Sequence, residues 1–282
     1  GGCERVVAQL LNRWAGQGMD VTLVAECKVP SFYALDPRIR FVSLLNTPSM
    51  GARDVPGAYR KLRRLVKKER PDVVLAMPEK VNVWTVLFLL GTHVPVAVSE
   101  RNDPRRHPES RVKRLLRRLL YPFADGFIFQ TEDAAGYFSQ GIQKKGAVLP
   151  NPLETDRLPA PNHGARDKTV LGAGRLNGQK NFPLLLSAFL RFHADHPDWR
   201  LVLYGEGEER ANLLALAGGL PDGTVSLPGQ TDALPEKLAR CGMFVLSSDF
   251  EGMPNVLIEA MAVGTPCIAT DCPAGGCRAL ID

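Results

Sequence analysis

The sequence predicts an α/β protein with two Rossmann-like domains facing each other across a cleft. Short β-branched runs alternate with helical patterns along the whole chain, which is typical of parallel sheets joined by crossover helices. A proline-rich polar stretch, PNPLETDRLPAPNHGARDK, interrupts this alternation near the middle of the chain. The 282 residues are enough for two domains of ordinary size.

The strands are predicted where apolar runs lie between turn residues. In chain order these runs are VTLVA, RFVSLL, DVVLAM, VPVAVS, GFIFQT, AVLPN, TVLGAG, RLVLYG, TVSLPG, MFVLSS and PCIATD. The apolar segment 81–98 approaches the length of a membrane span, but Gly91, His93 and Pro95 divide it into a buried helix and a short strand. We expect a first domain over 1–155, a linker over 156–168 and a second domain over 169–282.

Positive charge is concentrated in two short segments. Residues 101–120 contain eight Arg or Lys against two acidic residues, and residues 60–70 contain seven against one, in a chain of net charge +5. A nucleic-acid-binding protein would spread such charge over a larger face, so no nucleic-acid partner is expected. The segment RVKRLLRRLLYPF instead favours contact with an anionic membrane surface. An ordinary solvated helix face is the alternative.

The cysteines and glycines exclude several kinds of site. The six cysteines form no CxxC pair, which favours core or free thiols over zinc. Neither a GxGxxG fingerprint nor a GxxxxGK[ST] loop follows any predicted strand, which argues against dehydrogenases and P-loop enzymes. We therefore expect neither a bound cofactor nor a structural metal.

Two basic residues follow a strand of the second domain. After TVLGAG, the segment RLNGQKN places Arg175 and Lys180 five residues apart around a glycine-containing turn. The carboxyl ends of strands are where α/β folds bind ligands, and two cations there suit two phosphates. Two exposed basic residues in a loop are the alternative.

A second loop runs into an apolar helix in the segment EGMPNVLIEAMAVG. Its backbone N–H groups, including those of Gly252, Met253 and Asn255, and the positive end of the helix dipole favour an anion. This loop is therefore expected to bind the same anionic ligand.

Two carboxylates lie on either side of that helix start. Glu259 lies five residues beyond Pro254, roughly 7 Å deeper along the axis at 1.5 Å per residue. A buried carboxylate needs a polar partner, and at this depth a ribose diol would supply one. Glu251 would face the other end of the ligand, although it also fits as an acidic residue near a helix N-terminus.

These motifs resemble a known family. EGMPNVLIE, GRLNGQKN, the N-terminal GGCERV and the tail GTPCIATDCPAGG are similar to segments of the retaining glycosyltransferases of family four, which have the GT-B fold. The resemblance implies that Arg175 and Lys180 bind the donor diphosphate during catalysis, that Glu251 contacts the donor hexose, and that Glu259 contacts the ribose. It makes the first domain the acceptor domain and the second the nucleotide-sugar domain.

The same resemblance assigns the ends of the chain. Gly1 and Gly2 match the glycine loop that approaches the donor phosphates, where the lack of side chains permits close approach. The family has a strand before this loop and further elements after the last strand here, so the chain is expected to be truncated at both ends. The sequence contains no DxD motif, which favours metal-independent transfer with Arg175, Lys180 and the helix start supplying positive potential.

The acceptor side departs from the family pattern. Many members have a histidine where this chain has SERNDP, residues 99–104. Glu100, Arg101 and Asn102 face the cleft by position, and a salt bridge between the neighbouring Glu and Arg is the alternative.

The resemblance implies an activity and a location. The expected activity is transfer of a hexose or N-acetylhexosamine from a nucleotide sugar, with UDP the expected nucleotide, to a lipid-linked or saccharide acceptor in cell-envelope polysaccharide synthesis. The expected location is the cytoplasm, peripherally on the inner face of the cell membrane. A nucleotide-sugar epimerase on the same fold and a non-catalytic nucleotide-sugar or membrane-binding protein are the alternatives.

Overall fold

The structure is a computed structural model that describes residues 2–28 and 33–281. The chain divides into two compact units, Gly1–Pro152 (unit 1) and Leu153–Asp282 (unit 2). Gly1, which the sequence assigns to the donor site, lies outside the described residues.

Unit 1 contains two parallel sheets. Strands β1 and β2 pair with each other, and β3, β4, β5 and β6 form a second sheet in that order. The strands are β1 (Thr22–Ala25), β2 (Arg40–Ser43), β3 (Val74–Ala76), β4 (Val96–Ser99), β5 (Gly126–Phe129) and β6 (Gly146–Val148). The helices are α1 (Gly2–Gly16), α2 (Val55–Glu69), α3 (Glu79–Leu89), α4 (Arg111–Leu120), α5 (Glu132–Gly136) and α6 (Gln140–Gln143).

The apolar segment 81–98 folds as predicted. Its first half forms α3, and β4 follows after a turn in which Gly91 and His93 adopt positive φ. Val83, Val86 and Val98 are buried in the core of unit 1, so the hydrophobic residues face protein. Within residues 2–28 and 33–281, no helix is both long and apolar enough to cross a membrane.

Unit 2 is built on one five-stranded parallel sheet, in the order β11-β10-β7-β8-β9. Its strands are β7 (Asp167–Ala173), β8 (Arg200–Tyr204), β9 (Val225–Gly229), β10 (Cys241–Leu246) and β11 (Cys267–Ala269). Its helices are α7 (Phe182–Asp195), α8 (Arg210–Leu216), α9 (Leu234–Arg240) and α10 (Asn255–Ala262). The strand order reverses between β7 and β10, and ligands of such sheets bind at the carboxyl ends beside that reversal.

Both faces of this sheet are covered. Val170 and Leu171 are neighbours in β7, and both are buried. Because successive side chains of a strand point to opposite faces, Val170 packs in one core cluster with Leu185 of α7, whereas Leu171 packs in another with Leu257 of α10. Helices therefore cover the two faces, as a doubly wound parallel sheet requires. All eleven predicted strands are confirmed, and so is the α/β fold class.

Candidate active site

The loops after β7 and β10 meet beside the strand reversal of unit 2. Lys180 Nζ lies 2.6 Å from Glu251 Oε1, and both side chains are largely buried. Ser248 Oγ also donates a hydrogen bond to Glu251 Oε1, at 2.7 Å. The two residues that the sequence assigned to different parts of the donor therefore form one ion pair, held by a serine that sequence analysis did not select.

The two loops are joined by further hydrogen bonds. Gln179 Nε2 donates to the Phe250 carbonyl at 3.0 Å, and the Asp249 N–H donates to the Gln179 carbonyl at 2.9 Å. Asn181 Nδ2 donates to Asp249 Oδ1 at 2.8 Å, and Ser247 Oγ donates to the Lys180 carbonyl at 2.9 Å. These bonds fix the positions of Lys180 and Glu251 relative to each other.

Glycines allow two close backbone approaches around these loops. Gly205, at the end of β8, has a φ of +139°, and a Cβ there would lie 1.8 Å from the Gly174 carbonyl oxygen. Gly276 packs against the site loop itself, because its Cβ would lie 1.6 Å from the Gly252 carbonyl oxygen. Any side chain at either position would displace a loop that carries site residues.

The thiols near this loop are not bridged. All six cysteines are free, as predicted. Cys272 and Cys277 flank the segment that packs on Gly252, and their sulfur atoms lie 3.8 Å apart. Their hydrogen bond lowers the pKa of Cys272 and, together with burial, raises the pKa of Cys277.

Helix α10 begins at the same loop. Pro254 is its N-cap residue and provides no side-chain cap. Met253 is buried just before the helix, and Glu259 is buried in its middle with 8% of its surface exposed. The apolar helix with one inward carboxylate is therefore present as the sequence indicates.

Arg175 differs from Lys180 in its surroundings. It is exposed, and among the described residues its side chain makes neither a hydrogen bond nor an ion pair. Glu251 balances the charge of Lys180, so Arg175 and the start of α10 are the positive groups that remain beside this ion pair. That arrangement is suited to a phosphate ligand.

In unit 1, Glu100 turns inward from the end of β4. Its carboxylate accepts a hydrogen bond from Tyr121 Oη, and Oε2 lies 3.6 Å from Arg117 Nη1. Asn82 Nδ2 donates to Tyr121 Oη at 3.3 Å and to the Ser99 carbonyl at 2.9 Å. Burial raises the pKa of Glu100 to about 7 despite the opposing effects of Arg117 and Tyr121. Glu100 therefore pairs with a helix residue and not with its neighbour Arg101.

Arg101 follows Glu100 but points elsewhere. Its Nη2 donates a hydrogen bond to Asn151 Oδ1, which also accepts one from Gln130 Nε2 at 2.7 Å. Burial lowers the pKa of Arg101 and raises the pKa of the nearby Cys3 thiol. The Asn102 side chain accepts a hydrogen bond from the Asp103 N–H at 2.9 Å. Gly2 is exposed at the first position of α1.

Helix α4 exposes apolar residues and buries one of its arginines. Val112, Leu115 and Leu119 are more than half exposed, as is Phe123 just beyond the helix. Arg117 is only 3% exposed and donates to the carbonyls of His107 and Pro104, both at 2.6 Å. Arg117 belongs to the segment that was expected to contact an anionic membrane, but it is not available to lipid, because its guanidinium contacts the loop before α4 and Glu100.

Solved structures share this fold across the chain. Sucrose-phosphate synthase from Thermosynechococcus elongatus matches 98% of this chain and 77% of its own, with a TM-score of 0.82 and 19% identity. HepE from Anabaena in complex with UDP and glucose matches 100% of this chain and 80% of its own, with a TM-score of 0.77 and 18% identity. The fold is that of the GT-B glycosyltransferases, as predicted.

Family models identify the chain more closely. The model described as Glycosyltransferase Family 4 matches residues 1–157, and the model described as Glycosyl transferases group 1 matches residues 167–282. The protein belongs to glycosyltransferase family 4. One relative is the N-acetylgalactosamine-N,N'-diacetylbacillosaminyl-diphospho-undecaprenol 4-alpha-N-acetylgalactosaminyltransferase of Campylobacter jejuni, which is 29% identical over 305 residues, spanning 98% of this chain and 79% of that protein.

Sequence reasoning missed the residues that hold the site together. Ser247, Ser248 and Asp249 follow β10, and Gln179 lies beside Lys180. The sequence alone shows that these residues follow the predicted strands β10 and β7. Their contacts depend on β10 pairing with β7, which is a tertiary property.

Proposed function

We propose that this glycosyltransferase moves a hexose or N-acetylhexosamine from a UDP-sugar to a lipid-linked or saccharide acceptor in cell-envelope polysaccharide synthesis. The observation that carries the proposal is the Lys180–Glu251 pair at the strand reversal of unit 2, together with Arg175 on the loop after β7, which pairs with no residue that the structure describes. Membership of a glycosyltransferase family favours this activity over an epimerase or a non-catalytic binding protein.

In the proposed donor complex, positive groups of unit 2 hold the diphosphate. Arg175 and Lys180 donate hydrogen bonds to phosphate oxygens, and the backbone N–H groups of Gly252, Met253 and Asn255 add the positive end of α10. Glu259 accepts hydrogen bonds from the ribose diol, and Glu251 contacts the hexose. The crystallised complex of HepE with UDP and glucose, which shares the fold, supports UDP as the nucleotide.

The same positive groups act in the chemical step. The bond between the anomeric carbon and the diphosphate oxygen breaks as the acceptor hydroxyl oxygen bonds to that carbon. Negative charge accumulates on the departing UDP, whose released oxygen takes up the hydroxyl proton. Arg175, Lys180 and the α10 start stabilise this charge, which is the role that a metal serves in other enzymes. We propose independence of divalent metal on this basis, and retention of configuration because the site motifs resemble those of retaining glycosyltransferases.

The proposed lipid-linked acceptor rests on the name of one relative and on the exposed surface of helix α4. The name of the Campylobacter protein specifies an acceptor linked to diphospho-undecaprenol, so that protein acts on a lipid carrier. In this chain, Val112, Leu115 and Leu119 share one face of α4, since they are spaced by three and four residues. Arg111 and Arg118 are exposed on the same helix. An exposed apolar stripe beside basic residues suits the surface of an anionic membrane, on the cytoplasmic side of the cell envelope.

A donor panel tests the proposal. Thermal shift with UDP, GDP and ADP, followed by turnover of the matching sugar nucleotides and mass analysis of the products, should give stabilisation by UDP and transfer from a UDP-sugar. NMR of the product gives the anomeric configuration. Stabilisation by GDP or ADP but not by UDP would contradict the proposed nucleotide. A product of inverted anomeric configuration would contradict the proposed retention.

A further inference from the structure

Three strand ends of unit 1 place polar side chains at one edge of the sheet. Arg101 follows β4, Gln130 follows β5 and Asn151 lies just beyond β6. These strands are parallel neighbours, so their carboxyl ends lie side by side. This edge of an α/β sheet is where ligands bind.

This edge carries one cation, Arg101, without a carboxylate partner in the part of the chain that the structure describes. Among the described residues, the guanidinium of Arg101 forms no ion pair, and its hydrogen bond goes to the neutral side-chain oxygen of Asn151. Glu100, the adjacent carboxylate, is committed to Arg117 and Tyr121. The thiol of Cys3 offers no counter-charge, because its pKa is raised. A largely buried cation without a counter-ion is costly unless a ligand supplies the negative charge.

The neighbours hold the guanidinium in a defined orientation. Gln130 is 3% exposed, and its Nε2 and the Arg101 Nη2 both donate to Asn151 Oδ1. One of the five guanidinium N–H groups is thereby used, which leaves a fork of donors suited to two oxygens of one anion.

We propose that Arg101, oriented by Asn151 and Gln130, binds the phosphate oxygens of a diphosphate-linked acceptor. The proposal rests on the proposed function for the acceptor class, but it concerns a group of unit 1 and not the donor residues of unit 2. Arg101 is the anion-binding residue of the acceptor side, while Asn151 and Gln130 are positioning residues.

Pyrophosphate binding to the UDP-saturated protein tests this assignment. Saturating UDP occupies the donor site, so calorimetric titration with inorganic pyrophosphate reports a second anion site. Arg101→Met should weaken this binding at least about tenfold, since a charge-assisted fork is lost, and Arg101→Lys should weaken it less. Arg64→Met, which removes an exposed arginine of α2, serves as the matched control and should bind pyrophosphate as the wild type does.

Two further readouts separate the possible outcomes. Arg101→Met removes a cation without a counter-ion, so its melting temperature should equal or exceed that of the wild type. The Asn151 side-chain oxygen keeps one donor in this variant, because Gln130 Nε2 still donates a hydrogen bond to it. A wild type that binds no pyrophosphate in the presence of UDP, or an Arg101→Met variant that binds it equally well, overturns the inference. A lowered melting temperature with unchanged pyrophosphate affinity would assign Arg101 a structural role. Failure of UDP to bind the wild type would contradict the proposed donor instead, because Arg101 has no part in that measurement.

Discussion

At the scale of single residues, charge pairing decides which groups are available to a ligand. Lys180 is held by Glu251, Arg117 by Glu100, and Arg175 by no described residue. Residue type alone does not show which of these three cations is available to a ligand. Their different partners lead to different expectations for substitution.

The first prediction concerns the Lys180–Glu251 pair. Because Glu251 competes with a diphosphate for Lys180, Glu251→Gln should bind UDP as tightly as the wild type or more tightly. Its turnover should fall at least about tenfold, because the proposed contact with the hexose is lost. Lys180→Met should lose roughly 1.5 to 3 kcal/mol of UDP binding. Calorimetry with UDP and initial rates with the UDP-sugar measure the two effects. If both substitutions weaken UDP binding equally, Glu251 does not compete with the diphosphate for Lys180.

The second prediction concerns Glu259. If its carboxylate accepts hydrogen bonds from the ribose diol, the wild type should bind UDP more tightly than 2'-deoxy-UDP. Glu259→Gln should reduce that preference, because a neutral amide is a weaker acceptor. The exposed Glu236 of α9 provides a control, and Glu236→Gln should keep the wild-type preference. A preference that survives in Glu259→Gln would remove this residue from the ribose site.

The third prediction concerns the pH dependence of stability. The pKa of Glu100 rises from 4.5 when unfolded to about 7 when folded. The folded state therefore holds a proton that the unfolded state releases between these pH values. The contribution of this group to the free energy of unfolding should fall by roughly 3 kcal/mol as the pH rises from about 4.5 to about 7.

Urea denaturation at pH 5 and pH 7.5 measures this slope. The groups around the carboxyl are Arg117 of α4, Tyr121 after it, and Asn82 and Glu79 of α3. Glu100→Gln should show a smaller loss of stability between the two pH values, whereas Glu109→Gln, at an exposed site, should behave as the wild type does. Identical slopes in Glu100→Gln and the wild type would disprove the assignment.

At the scale of elements, helix α4 exposes apolar side chains and buries one of its arginines. Its apolar residues Val112, Leu115 and Leu119 are exposed, while Arg117 is buried beneath the rings of Tyr137 and Phe138, at 5.0 and 5.3 Å from their centroids. The other two leucines of the helix, Leu116 and Leu120, face the core of unit 1. Arg117 is turned inward because its guanidinium donates to the loop that precedes the helix and pairs with Glu100.

The fourth prediction follows from that exposed stripe. A double substitution of Leu115 and Leu119 by serine should reduce sedimentation with anionic vesicles, and high salt should weaken the wild-type binding, since the Debye length falls from about 10 Å at 0.1 M to about 3 Å at 1 M. Leu214 and Leu216 of α8 are about half exposed, which makes the corresponding double serine variant a matched control. Equal binding to neutral and anionic vesicles would refute the electrostatic part.

At the scale of the whole molecule, the parallel sheets are separate, two in unit 1 and one in unit 2, and each unit has its own polar strand ends. Unit 2 provides the cations and carboxylates proposed for the donor, and unit 1 provides Arg101 and α4 for the acceptor. The positive charge proposed to stabilise the departing diphosphate comes entirely from protein groups.

The fifth prediction follows for the complete reaction. Turnover with a UDP-sugar should be the same in excess EDTA as in Mg²⁺, because Arg175, Lys180 and the α10 start replace the metal. Rates measured after removal of trace metal by chelating resin check this. An absolute requirement for Mg²⁺ or Mn²⁺ would overturn the proposed mechanism.

The local pattern of residues was sufficient to predict the strands and the fold class. β-branched runs and crossover helices depend on periodicity and turn chemistry, which are local properties, and all eleven predicted strands are present. The pairing of charges was not predictable in this way. Glu100 pairs with Arg117, seventeen positions away, and Lys180 pairs with Glu251 across 71 positions.

These pairs depend on which strands become neighbours. β7 lies beside β10, which follows it by three strands in the sequence, and only that pairing brings the Lys180 loop to the Glu251 loop. In the same way, Arg117 and Tyr121 hold Glu100 inward, whereas Arg101 lies at the sheet edge and contacts Asn151. The sequence by itself determined the elements and the residue types at their ends. Only the tertiary structure decided which cations are neutralised, because Coulomb interactions depend on distances in space and not along the chain.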